Sequence, residues 1–299
     1  MSTTPMVSLD ALLPAAMAEK AEQIGTKKAR MDFPAMLALS VMAGAFIALG
    51  AVFSTTVAAG AAGTLPYGVT RLLAGSAFSL GLILVLVGGA ELFTGNNLLI
   101  MAWASHRVST GLLLRNWLIV YVGNFAGAFG TAVLVFLGGN YLFGDGAVGA
   151  VALATANVKS GLGFLQAVAL GTLCNALVCL AVWLTLSART TTDKILAIVP
   201  PIAAFVAAGF EHCIANMYFI PTGLFIRAGA GDAFWGAIGK TAADYPNVTW
   251  ERFVVHNLVP VTIGNILGGA VLVGIVYWFI YLRRRHVAPG SLLPTTGHR

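Results

Sequence analysis

One pattern occurs twice in this chain: Gly89-Ala90-Glu91 followed by Asn96, and Gly209-Phe210-Glu211 followed by Asn216, each copy interrupting an otherwise apolar stretch. A carboxylate at bilayer depth costs about 2.5–3.5 kcal/mol even on the insertion scales that give the smallest penalties. Two at matching places point to two membrane helices that break inside the protein or beside water, because lipid cannot satisfy the N–H and C=O groups a break releases. Duplicated, interrupted hydrophobic segments of this kind mark a midplane binding site in inverted-repeat transport proteins.

The membrane setting follows from composition: 58% hydrophobic and 9% charged residues over 299 positions cannot clothe a soluble globular surface. Uncharged stretches run from Phe33 to Thr70, Asn116 to Gly144, Ser160 to Ala188 and Phe253 to Leu282, each long enough for one transmembrane helix. Two more, Leu72 to Ser105 and Ile195 to Ile226, are interrupted by Glu91 and by Glu211 and His212. The reading is an all-α integral membrane protein of six spans, the second and fifth broken. Continuous apolarity excludes a membrane β-barrel, whose strands alternate.

The 17 basic residues orient these spans. Twelve, including Lys20, Lys27, Lys28, Arg30 and Arg283 to Arg285, fall on the side of the termini, and five, Arg71, Lys159, Arg227, Lys240 and Arg252, on the other. Both termini are therefore expected in the cytoplasm. The basic residues are dispersed around helix ends and form no stripe for nucleic acid.

Residues 1–32 lack a cleavable signal's apolar core and read as a cytoplasmic amphipathic helix, with Leu9, Leu12, Leu13, Ala16, Met17 and Ile24 on its apolar side and Ser8 as cap. Residues 33–285 form the expected channel body, and 286–299 a disordered cytoplasmic tail. Cys174, Cys179 and Cys213 lie inside spans, so no disulfide framework is indicated. Gly239-Lys240-Thr241 imitates the end of a phosphate loop, but the first glycine of that motif would fall at Phe234.

Gly123-Asn124 followed by Gly127 echoes Gly264-Asn265 followed by Gly268. The chain thus reads as two three-span halves, about 33–145 and 160–285. An odd number of spans per half makes the repeat inverted. Glu91, Asn96, Glu211 and Asn216 are expected to hold the broken loops by hydrogen bonding rather than to line the path. Second half-helices are expected to begin near Asn96 and Asn216, presenting two N-termini, each worth roughly half a positive charge, to an anion. His212 adds a group that titrates near neutral pH, and Thr94 stands at the corresponding break.

The segments Gly89-Ala90-Glu91-Leu92-Phe93-Thr94, Gly209-Phe210-Glu211-His212-Cys213-Ile214-Ala215-Asn216-Met217 and Pro260-Val261-Thr262-Ile263-Gly264-Asn265 resemble hallmark stretches of the formate/nitrite transporter family, most closely its bacterial formate channels. The similarity runs from Leu12-Leu13-Pro14 to Tyr277-Trp278. The resemblance implies an aquaporin-like bundle assembled as a homopentamer in the bacterial inner membrane, each protomer carrying a pore. By matched motif, Leu92-Phe93-Thr94 would be a mobile gating loop with Thr94 reaching the central His212. Phe78 and Leu82 would form one constriction, and Phe205 and Val178 would contribute to the other. Asn175 and Asn265 would lie beside His212, and Lys159 would attract anions in the outer half.

The expected function is passage of small monovalent anions, formate first, with nitrite or hydrosulfide as alternatives, and with proton transfer through His212 as one mode. Neither substrate chemistry, cofactor nor metal is expected. A membrane redox subunit binding haem through His212 and His256 is the competing class, which an absorbance scan would detect. A water or glycerol channel is disfavoured because no Asn-Pro-Ala occurs.

Overall fold

The computed structural model describes residues 11–283, so Ser8, Leu9, Asp10 and the tail 286–299 lie outside the described residues. Every regular element among the described residues is helical. Helix α1 (Pro14–Ala29) leads into α2 (Phe33–Ala58) and α3 (Tyr67–Gly88), followed by the short α4 (Phe93–Asn96), a 3-10 turn at Asn97–Leu99, and α5 (Ile100–Ala104). Next come α6 (Thr110–Leu137), α7 (Ala147–Ser160), α8 (Phe164–Ser187), α9 (Thr191–Ala207), α10 (Cys213–Gly229) and α11 (Asp232–Ile238). The last stretch stays helical from Arg252 to Tyr281, with π-helical turns at Arg252–Leu258 and Leu267–Ile275 flanking α12 (Val259–Ile266) and preceding α13 (Val276–Tyr281).

Five of these helices are long and apolar enough to cross a membrane: Phe33–Ala58, Tyr67–Gly88, Thr110–Leu137, Phe164–Ser187 and Arg252–Tyr281. Local chemistry sets several of their starts. Asp32 caps α2 by accepting the Ala35 N–H at 3.0 Å, with Pro34 in the first turn where its missing N–H costs nothing. Ser109 caps α6 through the Leu112 N–H. Thr190 and Asp193 form a reciprocal capping box at α9, whose N–H bonds hold the Asp193 carboxyl below the usual carboxylate range.

Packing repeats as the glycine motif does. Helix α2 lies along α6, and α8 along α12. A Cβ on Gly127 would overlap the Val41 carbonyl oxygen, and one on Gly268 that of Thr172, so these backbones approach at distances only glycine permits. Helix α3 packs on α9, which brings the two interrupted segments side by side.

Three features differ from the sequence reading. Residues 147–160 form α7, where no element was expected; its buried Val148, Gly149, Ala152, Leu153 and Ala156 follow helical spacing, but the segment is too short to register as a span. Helix α1 buries Met17, Ala18, Ala21, Gly25 and Ala29 while Leu13 is 75% exposed and Ile24 is also exposed, so the contact stripe keeps Met17 of the expected apolar side, with Leu12 packed against the same cluster, and is otherwise made of small residues. That stripe docks on α5, α8 and the 3-10 turn, and Leu13 occupies the N-cap position of α1. The new half-helices start at Phe93 and Cys213, three residues before Asn96 and Asn216.

Candidate functional site

Each break begins with a glycine in the left-handed region, Gly89 at φ 86° and Gly209 at φ 76°, a conformation that turns the chain out of helix and penalises a Cβ. The next residues are non-helical as far as Leu92 and His212, both extended, which stand at the N-cap positions of α4 and α10. The early restart has a cause in the bonds made there. Asn124 of α6 accepts the Phe93 N–H at 2.9 Å, and Asn265 of α12 accepts the Cys213 N–H at 2.9 Å. The amides of the same two residues donate to the carbonyls of Glu91 and Glu211, both at 2.9 Å. One asparagine therefore clamps both sides of each break and satisfies groups that lipid could not.

The carboxylates complete the clamp. Glu91 accepts from Asn96 Nδ2 at 2.7 Å and pairs with Lys28 at 3.0 Å; Glu211 accepts from Asn216 Nδ2 at 2.7 Å and pairs with Lys159 at 2.8 Å. Behind them, Asn116 accepts from Asn96, and Asn257 from Asn216. Asn116 and Asn257 in turn donate to the Lys28 and Lys159 carbonyls, so α1 and α7 occupy matching places in the two networks. The match is incomplete at one atom. Asn96 Oδ1 accepts from Lys28 at 3.0 Å, whereas the buried Asn216 Oδ1 has no partner.

The two breaks touch through Thr94 and His212. Thr94 Oγ1 lies 3.1 Å from His212 Nε2, both residues buried, and the His212 ring lies nearly parallel to Phe205 at 6.0 Å. His212 Nδ1 accepts the Ala215 N–H at 3.1 Å, so this ring nitrogen caps α10 and the proton of the neutral ring belongs on Nε2, facing Thr94. Both nitrogens are thus engaged, which leaves none for a haem iron in this geometry. Asn175 ties the Thr94 carbonyl to the Asn265 carbonyl and to Asn97, supporting the break from α8.

Two cavities lie near this contact, one reaching His212 and the other Leu92 and Gly95 on either side of Thr94, which itself lines neither. One, of about 370 Å³, is lined by Arg71, Phe78, Lys159, Phe205, Glu211 and His212, among others. The other, of about 50 Å³, is lined by Lys28, Leu82, Leu92, Asn96 and residues of α1. The bulky apolar side chains of Phe78, Phe205, Leu82 and Leu92 are therefore cavity walls. Phe93 turns aside onto Trp117 and Tyr121, at ring distances of 6.1 and 5.0 Å, and Val178 is buried in the core; neither lines these two cavities. Glu211 and Asn96 do line them, beyond the purely supporting place expected for them.

Lys28, Asn116 and Asn257 were not singled out from sequence. A rule that flags every polar residue inside or bordering an apolar span would have found the asparagines. Lys28 carries no such signal, because a lysine just before a first span reads as a topology determinant. Asn97 escaped as well: its Nδ2 donates to the Phe93 carbonyl at 3.1 Å, and α4 gives way to a 3-10 turn at that point.

The sequence model of the formate/nitrite transporter family matches residues 15–279. The formate channel FocA of Escherichia coli K12 is 47% identical over 92% of this chain and 96% of its own length. The formate channel FocA of Haemophilus influenzae is 40% identical over 95% and 99%. Among solved structures, a pentameric formate channel with formate bound superposes at a TM-score of 0.80 with 46% identity, covering 84% of this chain and 98% of that one. An ion channel of the same family superposes at 0.75 with 29% identity, over 89% and 98%. These relatives are named as channels, not as enzymes, and the apolar helices make this chain a membrane protein. The chain belongs to the formate/nitrite transporter family.

Proposed function

We propose that this protein is a formate channel: a homopentamer in the bacterial cytoplasmic membrane whose protomers each pass formate and similarly small monovalent anions. The observation that carries the reading is the Thr94–His212 contact, where the first turn of one half-helix meets the cap of the other between two cavities. Residues 33–285 form the channel body in this proposal, an aquaporin-like bundle of six spans. The interrupted α9 and α10 supply the crossing that no single long helix does. The inverted halves reach back to α1 and α7, as the Lys28 and Lys159 networks suggest. Both termini are cytoplasmic, the Lys28 cavity opens inward and the Lys159 cavity outward.

The mechanism follows from opposing electrostatic effects. Phe78, Phe205, Leu82 and Leu92 offer no replacement for an ion's water shell, which penalises a charge. At the contact, two half-helix N-termini and the His212 Nε2 proton favour an anion, so the penalty is offset there. The Nε2–H can donate its hydrogen bond to Thr94 Oγ1 or turn it to a carboxylate oxygen instead. For His212 to pass a proton to formate it must first carry two, and Nδ1 can take the second only by giving up the Ala215 N–H. A lost N-cap costs about 1 kcal/mol, so proton transfer is coupled to a local loosening of α10. Leu92 and Thr94, on the extended stretch and the short α4, are the elements most able to yield as the anion passes.

Formate is placed first because of the names and identity of the relatives; nitrite and hydrosulfide share its size and charge class. Flux into proteoliposomes with formate, nitrite, acetate, lactate and hydrosulfide, each with and without a pH gradient, tests the reading. Formate flux above protein-free vesicles and faster than lactate supports it. Formate flux equal to that of protein-free vesicles overturns it.

A further inference from the structure

Arg71 is the fifth residue of α3, and its guanidinium donates from Nε to the Ala207 carbonyl at 3.4 Å and from Nη2 to the Val206 carbonyl. Those carbonyls end α9, so they are the negative pole of a helix that terminates at the outer cavity. An anion in that cavity is repelled by this pole, since Val206 is part of the lining. Lys159 does little against it, because Glu211 sits 2.8 Å from its ammonium and the pair carries almost no net charge. Arg71 also lines the cavity, and none of the ion pairs found among the described residues includes it.

We infer that Arg71, rather than Lys159, supplies the net positive charge of the outer cavity and sets the apparent affinity for anions entering from that side. A guanidinium suits the task. It has five N–H donors in a planar fork, and two carbonyl bonds leave others for a carboxylate or nitrite oxygen. Its charge both masks the α9 terminus and reverses the sign of the field at the cavity wall. The inner cavity has no equivalent: its cation, Lys28, is held by Glu91 and by Asn96 together. Capture is therefore asymmetric, stronger from the outer side. The inference rests on the anion-channel reading and on the topology proposed with it.

The test compares wild type, Arg71→Gln and Arg71→Lys in right-side-out and everted membrane vesicles, with initial formate rates measured against concentration on the entry side. Arg71→Gln should raise KM for entry from the outer side about tenfold, the low end of the range over which charged clefts concentrate ions. KM and maximal rate from the inner side should stay near wild type, the outer maximal rate should rise in step with the outer KM because a passive channel keeps their ratio equal in the two directions, and Arg71→Lys should restore most of the outer-side affinity. Raising ionic strength should raise the wild-type outer KM and leave that of Arg71→Gln unchanged. Equal KM values for wild type and Arg71→Gln would overturn the inference, as would an equal loss of maximal rate in both directions, which marks Arg71 as only a cap on α9. If Arg71→Gln fails to assemble, the wild-type salt dependence and Arg71→Lys decide, and a salt-independent outer KM refutes the idea. Failure of the channel reading looks different: wild-type vesicles would then carry no formate from either side.

Discussion

Truncating Glu211 should damage the protein more than truncating Glu91, although the two carboxylates hold matching loops. Glu211→Ala removes the acceptor of Asn216 Nδ2 at 2.7 Å and the counter-charge of Lys159 at 2.8 Å. Asn216 keeps its bond to Asn257, but among the described residues the Lys159 ammonium keeps the face of Phe219 alone, 5.6 Å away. A buried donor losing a partner costs about 1–3 kcal/mol, and the part-buried Lys159 adds up to the same again, so the loss is at most about 6 kcal/mol. Glu91→Ala removes the equivalent pair, but Lys28 retains Asn96 Oδ1 at 3.0 Å and its side chain is 27% exposed, against 15% for Lys159. One retained bond to a charged group is worth about 1.5–3 kcal/mol, which sets the expected gap between the variants. Thermal unfolding in detergent, followed with oligomer size, measures it. Glu211→Ala should unfold at a clearly lower temperature than Glu91→Ala, with Glu211→Gln between it and wild type. Identical midpoints for the two alanine variants would refute the reasoning. An assembled, fully stable Glu211→Ala with altered pH dependence of flux would make Glu211 a titrating transport residue instead.

Phe205→Ala and Leu82→Ala should admit larger anions, raising acetate and lactate rates relative to formate; unchanged ratios in folded variants would mean these walls do not set the size limit. Thr94→Ala removes one hydroxyl from the His212 contact and should change formate rate or selectivity by several-fold while assembly persists, since a buried hydroxyl bond contributes only about 1 kcal/mol. Wild-type rate and selectivity in that variant would detach Thr94 from the path. A reporter active only outside the cytoplasm, fused after Arg285, should stay silent, and activity would reverse the assigned orientation.

The broken segments were legible in the sequence because a carboxylate in an apolar run is costly and because Glu91 and Glu211 share the spacing to Asn96 and Asn216. The glycine seam was legible for the same reason, a repeated motif with one physical use. The exact restart of each half-helix was not. It depends on Asn124 and Asn265 capping Phe93 and Cys213 from helices far along the chain, and on His212 turning its own ring back to Ala215. Residues 147–160 hid for another reason: a 14-residue amphipathic helix falls below the length that marks a span, and its equivalence to α1 emerges only when Lys28 and Lys159 are seen in like networks. The pairing of Lys159 with Glu211 is likewise a tertiary fact, and it moves the net charge of the outer cavity to Arg71.

Formate flux from pH 5 to 8 in matched vesicles carrying wild type or His212→Asn tests the central claim most directly. An unperturbed imidazole is the one side chain at these breaks that changes charge in that range, and an asparagine in its place would keep a hydrogen-bonding head without the titration. The account predicts an assembled variant whose pH profile differs from wild type across that window. Superimposable profiles from a correctly assembled His212→Asn channel would contradict it and leave His212 as the cap of α10 alone.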